Sequence, residues 1–252
     1  MGTLKHAVHL RRRALHDLWR CRDDWRLPLP RALMRRERDN QLADLMPVVI
    51  LIALMVAIPL FTTLVSALGD SYPAALATLW PMWAIQAAPL VVALLQTVRR
   101  VPGLAIDLAR RDSVGEFAAL ALLRASPATY PCVPLIVAYA WVAAAATCLL
   151  VGLTLLFGWL AGVLLAIGEP RQALDIALDN MSPLAWLRSL ISALILGAVC
   201  ALAGILAAWP GSQVTMAGID AHRLGLRAMT ASALACLVAM LALNWVFGVL
   251  SG

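Results

Sequence analysis

Lysine is almost missing from this 252-residue chain, since of its 20 basic residues only Lys5 is a lysine and the other nineteen are arginines. No Gly-x-x-x-x-Gly-Lys-Ser/Thr loop is present, so the usual phosphate cradle for ATP cannot form and any ATP-driven work must come from a partner. Histidine is scarce. His6 and His9 could share a helix face, but no carboxylate or third ligand joins them at metal-site spacing, and His16 and His222 stand apart, so no metal is expected. The cysteines (Cys21, Cys132, Cys148, Cys200, Cys236) include no Cys-x-x-Cys pair and read as small apolar fillers. No Gly-x-Ser-x-Gly elbow accompanies the serines, so nothing gives a positive reason to expect an enzyme. Charge is sparse too: 13% charged against 62% hydrophobic residues would leave a soluble domain aggregating, and a mean hydropathy of +0.85 makes the bilayer the expected solvent.

What is abundant is apolar sequence in long blocks. A span needs roughly 20 apolar residues, and on that scale the chain reads as an all-α integral membrane protein with about five transmembrane helices, at 45–68, 74–98, 131–167, 186–209 and 228–250. The run 131–167 is long for one simple span yet holds no polar turn that would make it two, so one long helix with an apolar extension is expected. The alternative, a hairpin, would carry Glu169, Asp175 and Asp179 to the other side. Pro47, Pro59 and Pro73 with Gly69 are expected to kink or end the first span.

The arginines are sorted along the chain. Ten of them and Lys5 lie within residues 1–44, the gap Gly69-Asp70-Ser71-Tyr72-Pro73 has none, and Arg99, Arg100, Arg110, Arg111 and Arg124 crowd the next gap. Basic residues near membrane ends favour the cytoplasmic side, which predicts a cytoplasmic N-terminus and a cytoplasmic 99–130 segment. Eleven basic against six acidic residues in 1–44 put most of the net charge of +6 there, and an anionic lipid surface rather than nucleic acid is the expected partner. No secretory cleavage pattern is expected in residues 1–20. Leu4, Val8, Leu15, Leu18 and Trp19 recur at helical spacing, which predicts an amphipathic helix in the interface plane. Leu27-Pro28-Leu29-Pro30 then breaks it, and a second basic stretch leads to Asp44, so 1–44 reads as basic interfacial or elbow helices and 45–252 as the membrane domain.

The segment between the second and third blocks carries a second amphipathic signal. Phe117, Leu120 and Leu123 fall at helical spacing, and Ser113 followed three residues later by Glu116 fits a capping box, which predicts a short helix over about 113–130 able to dock in a groove of a soluble partner. Gly158-Trp-Leu-Ala-Gly162 offers a close helix crossing, within the chain or between copies. Gln86, Gln96 and Asn244 are the polar points expected inside the membrane.

Several of these residues together resemble the MlaE/YrbE permeases, membrane subunits of bacterial ABC systems that move lipids with an MCE-domain partner. Pro89-Leu-Val-Val-Ala93-Leu94-Leu95, then Arg99 and Asp107, is similar to that family's Pro-Val-Leu-Thr-Ala-Leu run with its Arg and downstream acid. Glu116 fits the Glu of its Thr-Glu-Gln stretch. Pro127, Tyr130 and Pro134 match Asp-Pro-x-x-Tyr-Leu-Val-x-Pro, Arg227-Ala228-Met229-Thr230 resembles Arg-Ala-Thr-Thr, and Asn244-Trp245 falls where Asp-Phe is expected. The chain departs from the pattern at Ile85-Gln86 in place of Arg-Glu, Phe117 in place of Gln, Leu135 in place of Arg and Asn244 in place of Asp.

The resemblance implies a permease of the bacterial inner membrane, two copies about a twofold axis with an outward-opening lipid cavity between them. A cytoplasmic ABC ATPase dimer would bind the ATP, an MCE-domain protein would exchange phospholipid or a related lipid, and this chain would hold no cofactor of its own. The 113–130 helix becomes the coupling helix, with Glu116, Leu120, Leu123, Arg124 and Tyr130 as its expected coupling residues. Gln86, Arg99, Asp107, Arg227 and Asn244 are then expected as polar support or transport path, Arg99 and Asp107 as an ion pair. The missing membrane charges leave a transport-deficient scaffold or assembly factor with the same fold as the alternative.

Overall fold

The computed structural model describes residues 28–122, 132–165, 170–208 and 221–251. All elements among them are helical: α1 (Pro28–Leu68), a 3₁₀ turn (Gly69–Ser71), α2 (Tyr72–Met82), a π-helical turn (Trp83–Ala87), α3 (Ala88–Arg99), α4 (Val101–Ser113), α5 (Glu116–Leu122), α6 (Val133–Leu165), α7 (Pro170–Asp179), α8 (Pro183–Ala208) and α9 (Ala221–Ser251). Five helices are long and apolar enough to cross a membrane: Ala32–Leu68, Tyr72–Arg99, Val133–Leu164, Pro183–Ala208 and His222–Val249. The all-α membrane fold expected from composition is the one observed. The interfacial helix expected within 1–20 lies outside the described residues.

The structure departs from the sequence reading at the start of the first span and after the third, and agrees with it on the long apolar run between them. α1 runs unbroken from Pro28, so the basic stretch before Asp44 is the first part of the same helix and 44/45 marks no break. The long apolar run forms one continuous helix, α6. The acidic stretch after it contains α7, whose Ala173 and Ala177 are buried while Arg171, Asp175 and Asp179 stay exposed. Gly69 ends α1 with a φ of +48°, a left-handed conformation that a residue with a Cβ adopts only at a cost.

α1 lies along α6, α6 packs on α8, and α8 on α9, while α3 and α4 fill the angle between α8 and α9. Burial of apolar surface does little to drive helix association in lipid, so close van der Waals packing has to hold such a bundle. The tightest approach is at Gly197 of α8. A Cβ there would sit 2.7 Å from both the Ala143 Cβ and the Tyr139 carbonyl oxygen of α6. Gly204 of α8 approaches Val101 of α4 nearly as closely, at 2.8 Å. Gly158, by contrast, has nothing within 4 Å of where its Cβ would be, so the close intrachain crossing is made by Gly197 and not by Gly158.

The second span is continuous but not uniformly α-helical, for a reason legible in its prolines. The Ala88 N–H reaches back to the Trp83 carbonyl, an i→i+5 bond, which takes it away from Ala84. The next nitrogen along belongs to Pro89 and carries no hydrogen, so the Ala84 carbonyl has no donor in its own helix. Ser189 of α8, itself buried, supplies one at 2.7 Å. An interhelical hydrogen bond thus satisfies a backbone group that lipid could not.

Candidate functional site

Four of the residues expected from sequence, Arg99, Asp107, Glu116 and Leu120, lie at the end of the bundle where α3, α4 and α5 follow one another near the first part of α1. Arg100 breaks the path between α3 and α4 with φ −113°, and Pro102 starts α4 at a position where its missing N–H costs nothing. That break turns Arg100 inward. Its guanidinium pairs with the Asp44 carboxylate and donates to the Asn40 carbonyl, fastening α1 to the α3–α4 junction. Arg99, more exposed, donates to the Asp44 carbonyl at 3.1 Å.

The expected Arg99–Asp107 ion pair does not form. Asp107 is paired with Arg111 one turn along α4 at 2.9 Å, and Arg111 also lies 3.6 Å from Glu116 at the start of α5. Arg111 therefore joins two acids across the break between the helices. The break is made by Gly115, whose φ is +80°. It also undoes the predicted capping box: Ser113 ends α4, its hydroxyl donating to the Arg110 carbonyl at 2.6 Å, rather than starting α5.

α5 presents two unlike faces. Phe117 is buried and Leu120 packs against the same core as Leu104, Leu108 and Cys132. Outward, Val114 is 78% and Leu122 86% exposed. Val114 precedes α5 and Leu122 ends it, so a large apolar side chain stands exposed at each end of this short helix. Spacing alone identified the buried stripe, and Val114 and Leu122 were missed because that stripe was taken for the docking face. Leu123, Arg124 and Tyr130 lie outside the described residues.

Of the other expected polar positions, Gln86 is half-buried in the π turn, Asn244 half-buried in the last part of α9, and Arg227 exposed near the start of α9. They do not form one site. Gln96 is fully buried and donates to the Tyr139 carbonyl at 3.2 Å, bridging α3 and α6. Gln41, equally buried and not expected, donates to Glu37 at 2.9 Å. Its signal was the i, i+4 spacing from Glu37 on one helix face.

The match to a family settles what such a bundle belongs to, for the Permease MlaE family model covers residues 39–250. The chain belongs to the MlaE permease family. It is a multi-pass membrane permease, a transport subunit that works with other subunits. No curated protein matches it.

Beneath α5 the permease carries a probe of its own docking. Cys132 is fully buried in the cluster that contains Phe117, and burial pushes its thiol up to about 12, the nearby Arg111 pulling weakly the other way. Thiolate is the reactive form, so Cys132 in the folded permease should alkylate with maleimide far more slowly than after unfolding in SDS. Phe117→Ala, which opens the cluster, should speed the reaction. Mass spectrometry of the alkylated peptides resolves the site, and a wild-type Cys132 as reactive as an exposed thiol would show that α5 is not seated.

Proposed function

We propose that the permease moves phospholipid or a related lipid between the bacterial inner membrane and an MCE-domain partner, driven by a separate ATPase dimer that engages α5. Two copies would pair to enclose the lipid path, and the arginine-rich end would face the cytoplasm. The observation that carries the coupling assignment is the exposure of Val114 and Leu122 on either side of α5, beside the Arg111–Glu116 bridge. A groove on a soluble partner would cover these side chains, and motion of that partner would reach the bundle through Phe117 and Leu120. Family membership supports the transport role, and the reading that a separate subunit hydrolyses ATP is supported by the sequence having no Gly-x-x-x-x-Gly-Lys-Ser/Thr loop.

The test is purification from native membranes in mild detergent, with mass spectrometry of the proteins and lipids retained. An ATPase and phospholipid should come with the wild type, and Val114→Arg with Leu122→Arg should lose the ATPase while thermal stability is kept. Binding that survives this double change would sink the α5 assignment. The scaffold reading draws on Gln86 and Asn244, uncharged where the resembled pattern has charge; it predicts partners whose association does not depend on an ATPase.

A further inference from the structure

One arginine does not follow the sorting of the others. Arg188 stands near the start of α8, inside the candidate span Pro183–Ala208, whereas Gly204 near the other end of that helix is the residue that meets Val101 beside Arg100. Arg188 is therefore at the end of the bundle opposite the arginine-rich one. A charge placed within a span is costly and calls for a partner. Among the described residues Arg188 has no carboxylate at ion-pair distance and no hydrogen-bond acceptor. The contact it does make is with a ring, its Cζ lying 4.7 Å from the centroid of Phe247 on α9. That ring positions the guanidinium and offsets part of its charge, but supplies no oxygen for its five N–H donors. Arg188 is half-buried and none of its nitrogens is sealed off, so a ligand at the bundle surface can reach them.

Asn244 adds a second polar group. Ser232 of α9 donates to the Cys200 carbonyl of α8 at 3.0 Å and the Cys236 thiol to the Leu196 carbonyl at 3.7 Å, four residues forward on one helix against four back on the other. Continued along both helices, this antiparallel register sets Asn244 level with Arg188. Asn244 precedes Phe247 by three residues, so the two share a face of α9, and it lies about 4.5 Å farther from the helix end. Its half-buried carboxamide has no partner among the described residues and is not sealed off either. Trp186 on α8 and Trp245 on α9, the latter 72% exposed, mark this level as the membrane–water boundary, where tryptophan collects. An arginine that merely snorkelled would extend into water; Arg188 is held against Phe247 instead. A cation at the boundary with an amide one turn deeper matches a molecule whose phosphate sits above its ester carbonyls.

We propose that Arg188, Phe247 and Asn244 form a seat for one phospholipid headgroup, the guanidinium donating to its phosphate and the Asn244 amide N–H to an ester carbonyl beneath. Arginine suits phosphate because its planar fork meets two oxygens at once. The seat needs only a bilayer around the bundle. No ATPase, MCE partner or transport step enters it, so it and the proposed function can fail separately.

The experiment titrates the purified, delipidated permease in detergent with phosphatidylglycerol, with diacylglycerol of the same acyl chains, or with inorganic phosphate, and reads the bound ligand by native mass spectrometry. Phosphatidylglycerol should bind about tenfold more tightly than diacylglycerol, the worth of a hydrogen bond to a charged group, and Arg188→Met should erase that preference. Phe247→Leu should reduce it about two- to fivefold. Asn244→Leu should weaken both lipids about two- to tenfold, because both carry the ester carbonyl. Arg171→Met makes the same charge change on the exposed side of α7 and should leave binding unchanged. If Arg188→Met does not fold, Arg188→Gln removes the charge while keeping a polar end. A preference for phosphatidylglycerol that survives in the folded Arg188 variant, or that Arg171→Met lowers equally, overturns the proposal. Inorganic phosphate that binds as tightly as phosphatidylglycerol and is lost with Arg188 identifies a free-anion site and overturns the headgroup assignment; an unchanged Asn244→Leu overturns the ester contact.

Discussion

Gly197→Ala should cripple the permease although it adds one methyl group. That methyl would lie 2.7 Å from the Ala143 Cβ, 2.7 Å from the Tyr139 carbonyl oxygen and 3.0 Å from the Ala140 Cα. Two of these are backbone atoms and the third is fixed to the backbone, so no rotamer change relieves the overlap and α6 and α8 must move apart. Overpacking a core typically costs about 1–3 kcal/mol, occasionally more. With no flexible neighbour to yield, the cost here should sit at the upper end of that range or above it. In lipid the packing lost along the α6–α8 seam is not replaced by a hydrophobic driving force. The sign should reverse at Gly152 of α6, which is exposed with nothing near its Cβ position; there Gly→Ala should be neutral or stabilising by about 0.5–1 kcal/mol through helix propensity alone. Thermal unfolding in detergent, followed by size-exclusion chromatography, compares the two. Equal stability for both variants would mean that the α6–α8 crossing is looser than described.

Arg100→Met should be the most damaging loss of a charge. Arg100 is 20% exposed, binds both the Asp44 carboxylate and the Asn40 carbonyl, and holds α1 against the α3–α4 junction. Hydrogen bonds to charged groups contribute about 1.5–3 kcal/mol each. Asp44 is 60% exposed and regains water when Arg100 is removed, which reduces that figure. A net loss of about 1–3 kcal/mol remains, mostly from the backbone contact and from the side-chain stem that packs beneath it. Arg99→Met removes one hydrogen bond from an exposed side chain and should cost well under half as much. The two variants carry the same charge change, so their difference in melting temperature isolates position from charge. Indistinguishable melting temperatures would refute the inward role of Arg100.

The spans were legible because some twenty apolar residues in a row have few alternatives to a membrane helix, and the single helix over 133–165 follows from the absence of a polar turn inside it. α7 was hidden by its composition: its buried face is built from Ala173 and Ala177, which carry little hydropathic signal, whereas Arg171, Asp175 and Asp179 look like loop. At the candidate site the sequence marked the right segment and misassigned its contacts. Arg99 and Asp107 were expected to pair from the family resemblance, but the chain turns at Arg100 between the two and Asp107 pairs with Arg111 instead. Ser113 and Glu116 have capping-box spacing, yet Gly115 between them takes a positive φ and assigns Ser113 to the preceding helix. Each of these is a backbone event at a single residue, which side-chain spacing cannot register. Ser189 could not have been found at all without the fold, because its partner is a carbonyl 105 residues away.

The π-helical turn at Trp83–Ala87 has one more consequence, which concerns length rather than contacts. Such a turn holds one residue more than the α-helix around it would need, and each residue advances a helix by about 100°. Removing any one residue between Trp83 and Ala87 would let the segment close as ordinary α-helix, and everything on one side of it would swing by that angle relative to the other. Val92, Ala93, Gln96 and Thr97, now buried, would then be offered to a different neighbour while Leu76 and Trp80 kept theirs. The second span is in effect two faces written in different reading frames, and the surplus residue lets one continuous helix serve both.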